Sequence, residues 1–209
     1  MKTKGFILSG LLILVTFTLN AQIKFGIKEG INLSTQSELG LLWDNNDIKT
    51  GFTIGATFDY RFHSVISLQT ELNYKTEGSA YEVRESSGKK GVDINYDYYN
   101  VPLLLKARLN NQLGLSESWL VSFYGGPYYS YLNKSESEIE NNGTTTVTNI
   151  EDDANESDYG MIFGGEVSRV FSKGELYLDL RYEMGLNDIS VIDEDLRNKV
   201  IGIGIGYRF

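Results

Sequence analysis

Apolar and polar residues alternate with a period of two through eight stretches of this chain: 23–34, 51–61, 65–75, 98–108, 119–131, 158–170, 175–185 and 199–209. Successive side chains of a strand point to opposite faces, so this alternation predicts eight half-buried β-strands. In 175–185 one face carries Leu176, Leu178, Leu180, Tyr182 and Met184, and the other carries Tyr177, Asp179, Arg181 and Glu183. In the last stretch Ile201, Ile203, Ile205, Tyr207 and Phe209 oppose Gly202, Gly204, Gly206 and Arg208. The pattern is weakest in 158–170.

The polar faces hold full charges in mid-strand: Lys28, Asp59, Arg61, Glu71, Lys106, Glu166, Asp179, Arg181, Glu183 and Arg208. The apolar faces tend to end in aromatics such as Tyr60, Tyr74, Tyr99, Tyr129 and Tyr182. Two architectures fit. A soluble barrel or sandwich turns its apolar faces inward; a membrane barrel turns them to lipid, with aromatics at both interfaces and charges in the lumen. The connections separate the two. They alternate long and short, about 16, 22, 26 and 13 residues against about 3, 10 and 4. An up-and-down barrel with long loops at one end produces this, whereas a Greek-key sandwich has no reason to. The expected fold is all-β, an eight-stranded antiparallel up-and-down transmembrane β-barrel. A soluble periplasmic barrel remains the alternative.

Composition and charge refine this picture. Lys2 and Lys4 precede an apolar run of 14 residues, Phe6–Leu19, and Asn20-Ala21-Gln22 follows. This has the form of a secretory signal peptide cut after Ala21, leaving 22–209 as the barrel domain. A spanning helix would need about 20 apolar residues. Removal takes two lysines and no acid, which moves the net charge from −9 to −11. So acidic a chain argues against nucleic acid as a partner. With no cysteine and one histidine, His63, thiol catalysis and Cys- or multi-His-bound metals are excluded.

Several stretches resemble the outer membrane β-barrel domain of Bacteroidetes, which includes the PorT-like proteins. Phe25-Gly26-Ile27-Lys28-Glu29-Gly30-Ile31-Asn32-Leu33-Ser34 resembles its opening strand, Leu68-Gln69-Thr70-Glu71-Leu72-Asn73-Tyr74 its third and Val101-Pro102-Leu103-Leu104-Leu105-Lys106 its fourth. Gly126-Pro127-Tyr128, Tyr182–Ile189 and the ending Tyr207-Arg208-Phe209 follow in order. The resemblance implies a Gram-negative outer-membrane location and no catalytic residues. By resemblance alone it also implies a possible place in a secretion assembly. Glu29 departs from the pattern. It falls on the lipid-facing parity, so a bulge there or a position near a rim is expected.

The candidate chemistry is structural. The ten polar-face charges are expected to form a balanced salt-bridged network, because desolvated charges need partners. An eight-stranded barrel is filled by side chains or holds one small ligand, so a porin channel is not expected. A small-ligand or narrow-channel barrel is the alternative function. Tyr207 and Phe209 resemble a C-terminal insertion signal read by the barrel-assembly machinery. Gly202–Gly206 is read as small residues in a crowded lumen, since a dinucleotide loop needs a helix after it. His63 sits in the shortest turn, away from the long loops. Glu136–Asp158 is read as a solvated acidic loop and Tyr96–Tyr99 as part of an interfacial belt. No enzyme activity, cofactor or metal is expected. The expected partners are outer-membrane lipid, the assembly machinery and envelope proteins met through the loops, around a monomeric barrel.

Overall fold

The computed structural model describes residues 22–37, 48–85, 88–116, 118–141, 144–151, 154–190 and 196–209. The expected leader, 1–21, lies outside these described residues. Nine strands are present among them: β1 Ile23–Ser37, β2 Lys49–Arg61, β3 Ile66–Glu85, β4 Gly88–Arg108, β5 Trp119–Asn141, β6 Thr144–Asn149, β7 Ser157–Phe171, β8 Gly174–Gly185 and β9 Arg197–Arg208. One helical turn, α1 Asn110–Leu113, lies between β4 and β5.

Eight strands close into a barrel in the order β1-β2-β3-β4-β5-β7-β8-β9, with β9 returning to β1. Every pairing is antiparallel, and neighbours in the barrel are neighbours in sequence apart from β6. Closure leaves no free edge around the barrel wall, the condition for placing a sheet in hydrocarbon. Among the described residues no helix is long and apolar enough to cross a membrane; strands do the crossing.

The barrel is polar inside and apolar outside. Leu72, Leu178, Leu180, Ile27 and Ile203 are each about 60% exposed on the outer wall. Lys28, Glu71, Lys106, Glu166 and Arg208 are buried within. Two groups of aromatics bound the apolar wall. At the end where β1 starts and β9 finishes, Phe25 packs on Phe58, Tyr60 on Phe62 and Tyr207 on Phe209. At the far end Tyr74 bridges Phe52 and Tyr99, with centroids 5.9 and 5.7 Å away.

The structure differs from the sequence expectations in three places. The expected long loops 76–97 and 132–157 are largely strand. β3, β4 and β5 run on past the far aromatic ring, and β6 pairs with β5 to complete a four-stranded extension, β3-β4-β5-β6. The acidic stretch from Glu136 is therefore strand through Asn141 and again over Thr144–Asn149. Second, of the tyrosines in the Tyr96–Tyr99 group only Tyr99 is outward. Tyr96 and Tyr98 are buried and stacked, 6.2 Å between centroids, beside Leu132 and Ala154. Third, β1 has no bulge at Glu29. Its register runs unbroken against Ile54 of β2 and Ile205 of β9.

Candidate functional site

The lumen holds a layered network of charges, built by the inward parity of each strand. In the middle layer Glu71 of β3 accepts five hydrogen bonds. Arg181 of β8 donates two of them from Nη1 and Nη2, each at 3.0 Å, a bidentate pair reaching across the lumen. Lys28 of β1 donates a third at 3.1 Å, and Gln69 and Asn73 supply the rest at 2.6 and 2.9 Å. Arg181 Nε donates to Asp179 Oδ1 at 2.8 Å, and Tyr124 donates to the other oxygen of Asp179. Charge-assisted, bidentate bonds of this kind are the strong ones.

Toward the terminal end, Glu166 of β7 takes Lys106 Nζ at 2.8 Å and both Nη atoms of Arg208, one at 2.7 Å. Arg208 also donates to Glu175 at 2.9 Å and lies over the Tyr177 ring at 3.8 Å. Asp59 accepts from Ser67 at 3.1 Å and has Lys106 and Arg108 each at 3.9 Å. Arg61 lines a shallow pocket at this mouth together with Arg108. Toward the far end, Glu183 takes Lys75 at 2.6 Å, and Lys75 also pairs with Glu77. Asp158 accepts from Tyr128 and Asn198, each at 3.1 Å.

Glycines make room for the larger members. A Cβ on Gly206 would strike the Tyr177 ring, and one on Gly164 would strike Tyr124. The two pairs face each other across adjacent strands, Gly206 with Tyr177 and Gly164 with Tyr124. The space ringed by Lys28, Asn73, Lys75, Asp179, Arg181 and Glu183 amounts to about 10 Å³. That is at the lower limit for one water molecule. Glu77 lies beyond the Tyr74–Tyr99 ring, outside the membrane-spanning band. Burial pushes its carboxyl up to about 7, and the neighbouring Glu183 adds to the rise against the pull of Lys75.

The family described as "Outer membrane protein beta-barrel domain" matches residues 16–191. The chain belongs to this family. Among solved structures it is similar to the outer membrane protein OprG of Pseudomonas aeruginosa, at 14% identity over 89% of this chain and 95% of that one, with a TM-score of 0.49. Neisserial surface protein A is similar at 16% identity over 88% and 97%, with a TM-score of 0.46. Ail, the attachment invasion locus protein of Yersinia pestis, is similar at 17% identity over 90% and 99%, with a TM-score of 0.44. No curated protein matches the chain.

In an outer-membrane barrel the apolar wall meets lipid, so the inward charges find their partners in one another and in the polar side chains of the lumen. All ten sequence-read charges face the lumen or its mouths, and nine of them enter the contacts given above. The reading omitted Lys75, Glu77, Glu175 and Asp158, and with them the tyrosines Tyr124, Tyr128 and Tyr177. Their inward parity is legible in the sequence, but their partners are not. Elsewhere, His63 lies in the β2–β3 turn, its Nδ1 3.4 Å from the Val65 amide that donates to it. Among the described residues no three His, Cys, Asp or Glu side chains gather as a metal site.

Proposed function

We propose that this protein works through its surfaces, as an outer-membrane anchor that displays a β-sheet platform, and that its lumen is a structural plug. Two observations support this: the central space of the lumen, ringed by Lys28, Asn73, Lys75, Asp179, Arg181 and Glu183, amounts to only about 10 Å³, and a four-stranded extension rises past the aromatic ring. A sealed interior suits neither a channel nor a carrier. The ends of β3, β4, β5 and all of β6 offer a platform for protein contact. β6 is exposed along its whole length. Its outer edge is unpaired among the described residues. Such an edge is a template for a partner strand.

Export by a leader cut after Ala21 accounts for arrival in the envelope. Tyr207 and Phe209, on the outward face at the end of β9, are the residues for recognition by the assembly machinery. On this reading the terminal end faces the periplasm and the sheet faces outward. The motif resemblance to PorT-like proteins supports a subunit role in an envelope or secretion assembly. The test has two readouts. Thr146→Cys on intact cells is expected to react with a membrane-impermeant maleimide, and the purified barrel in a planar bilayer is expected to pass no stepwise current. A protected Thr146→Cys overturns the surface platform; conductance steps overturn the plug.

A further inference from the structure

Among the described residues Glu29 is the one carboxylate on the outer wall between the two aromatic rings. It lies midway along β1 between Phe25 and Leu33, and its side chain is exposed on the same face as Ile27 and Ile31. Ile54 and Ile205 flank it on the paired strands. Every other outward side chain between the rings in the described strands is apolar except Thr70, whose hydroxyl donates to the Pro102 carbonyl at 2.9 Å. Glu29 has no such relief. Lys28 next to it points into the lumen and is committed to Glu71. Among the described residues the Glu29 carboxylate has no hydrogen-bond or ion-pair partner.

Ionisable groups at mid-bilayer depth are costly and are found paired or in functional sites. Two apolar clefts flank this one. The first, about 420 Å³, lies between Glu29, Leu176 and Tyr207; the second, about 460 Å³, lies between Glu29, Phe52 and Leu178. The carboxylate thus stands on a ridge with a hollow on each side, a shape that accepts neighbouring side chains of a packed segment.

We propose that the outer face of β1, with its β2 and β9 neighbours, is a lateral docking surface inside the membrane for a membrane-spanning protein segment that carries an arginine or lysine at the depth of Glu29. Charge complementarity selects the occupant. A lipid headgroup places its cation at the interface, beyond the aromatic ring, and not at mid-depth. A second copy of this chain, related by a two-fold axis along the membrane normal, would bring Glu29 against Glu29. A cation from a different protein meets the carboxylate and lets the apolar flanks fill the two clefts. This goes beyond the surface platform proposed above and uses a different face of the barrel.

The test uses the intact barrel in phosphatidylcholine vesicles. The probe is a synthetic leucine–alanine transmembrane helix with a central arginine, compared with the same helix with a central leucine. Association is read by energy transfer between dyes on barrel and helix. The arginine helix is expected to associate about tenfold more strongly, the size of one charge-assisted contact. The excess is expected to vanish in Glu29→Leu and to fall in Glu29→Gln, which keeps a hydrogen-bond acceptor without the charge. Glu29→Leu adds an apolar residue to an apolar wall, and its cold-gel mobility reports that it folds. Equal association of the two helices, or an excess that survives Glu29→Leu, overturns the proposal. Glu29-dependent transfer between barrels with no helix present assigns the surface to a second copy and overturns it as well.

Discussion

Replacing Arg181 with methionine removes one cation from the most densely bonded layer of the lumen. The volume changes little, but three short hydrogen bonds go: two to Glu71 at 3.0 Å and one to Asp179 at 2.8 Å. Glu71 keeps Lys28, Gln69 and Asn73. Asp179 keeps Tyr124 and a distant Lys28 at 3.8 Å. Two buried carboxylates are then left to share one ammonium, in a space of about 10 Å³ that has room for about one water molecule. Breaking a buried pair by removing one partner costs roughly 3–5 kcal/mol. The remaining donors to Glu71 place this case at the lower end, about 3 kcal/mol, or more than a hundredfold in the unfolding equilibrium. The assay is urea unfolding of the purified barrel in lipid vesicles, read by loss of the fast-migrating form on unheated gels. The double variant Glu71→Gln with Arg181→Met is expected to recover at least about 1 kcal/mol of the loss, since removing both charges leaves less unpaired charge in the lumen. A single-variant loss under about 1 kcal/mol, or a double variant no better than the single, would refute the claim that this network carries the lumen's stability.

The remaining expectations follow from the same contacts. Glu77 has its carboxyl raised to about 7 by burial, next to Glu183 and against Lys75, so the folded state holds its proton longer than the unfolded chain does. Its contribution to stability is therefore full below the unfolded carboxylate range and is lost as pH rises through about 7. The difference between wild type and Glu77→Gln in urea midpoints from pH 5 to 8 should show that slope, and a flat difference contradicts it. Gly206→Val drives a side chain into the Tyr177 ring and should cost roughly 1–3 kcal/mol by overpacking, whereas a valine at outward-facing Ile205 should change the urea midpoint far less. Glu29→Leu should stabilise the isolated barrel in vesicles by roughly 1–2 kcal/mol, the relief of a carboxylate facing lipid; an unchanged midpoint would mean that Glu29 is already neutral or solvated.

The barrel strands were legible because lipid on one side and a sealed lumen on the other force a strict alternation. Leu176-Tyr177-Leu178-Asp179-Leu180-Arg181 declares its faces without any structure. Beyond the aromatic ring water bathes the sheet, and the contrast fades. Ser135-Glu136-Ser137-Glu138 is polar on both parities, so the continuation of β5 and the pairing of β6 left no periodic trace. Network membership was readable from parity, but partnership was not. Glu71 and Arg181 lie 110 residues apart on strands that are not neighbours, and only the curvature of the closed sheet brings them together. Glu29 was visible as an anomaly. A bulge or a rim position was the natural way to rescue it; the unbroken register against Ile54 and Ile205 removes the first, and its place midway between Phe25 and Leu33 removes the second.

A barrel embedded in lipid around a sealed polar interior fixes which wall positions each kind of reagent can reach. Single cysteines at outward Leu72 and Leu178 and at inward Thr57 and Ser122 test it directly, each exposed in vesicles to a water-soluble and a lipid-soluble thiol reagent. Outward cysteines should react only with the lipid-soluble reagent, and inward ones with neither until the protein is unfolded. Reaction of Thr57→Cys or Ser122→Cys with the water-soluble reagent in the folded protein would mean an open lumen. The same reaction at Leu72→Cys or Leu178→Cys would mean that the apolar wall does not face lipid.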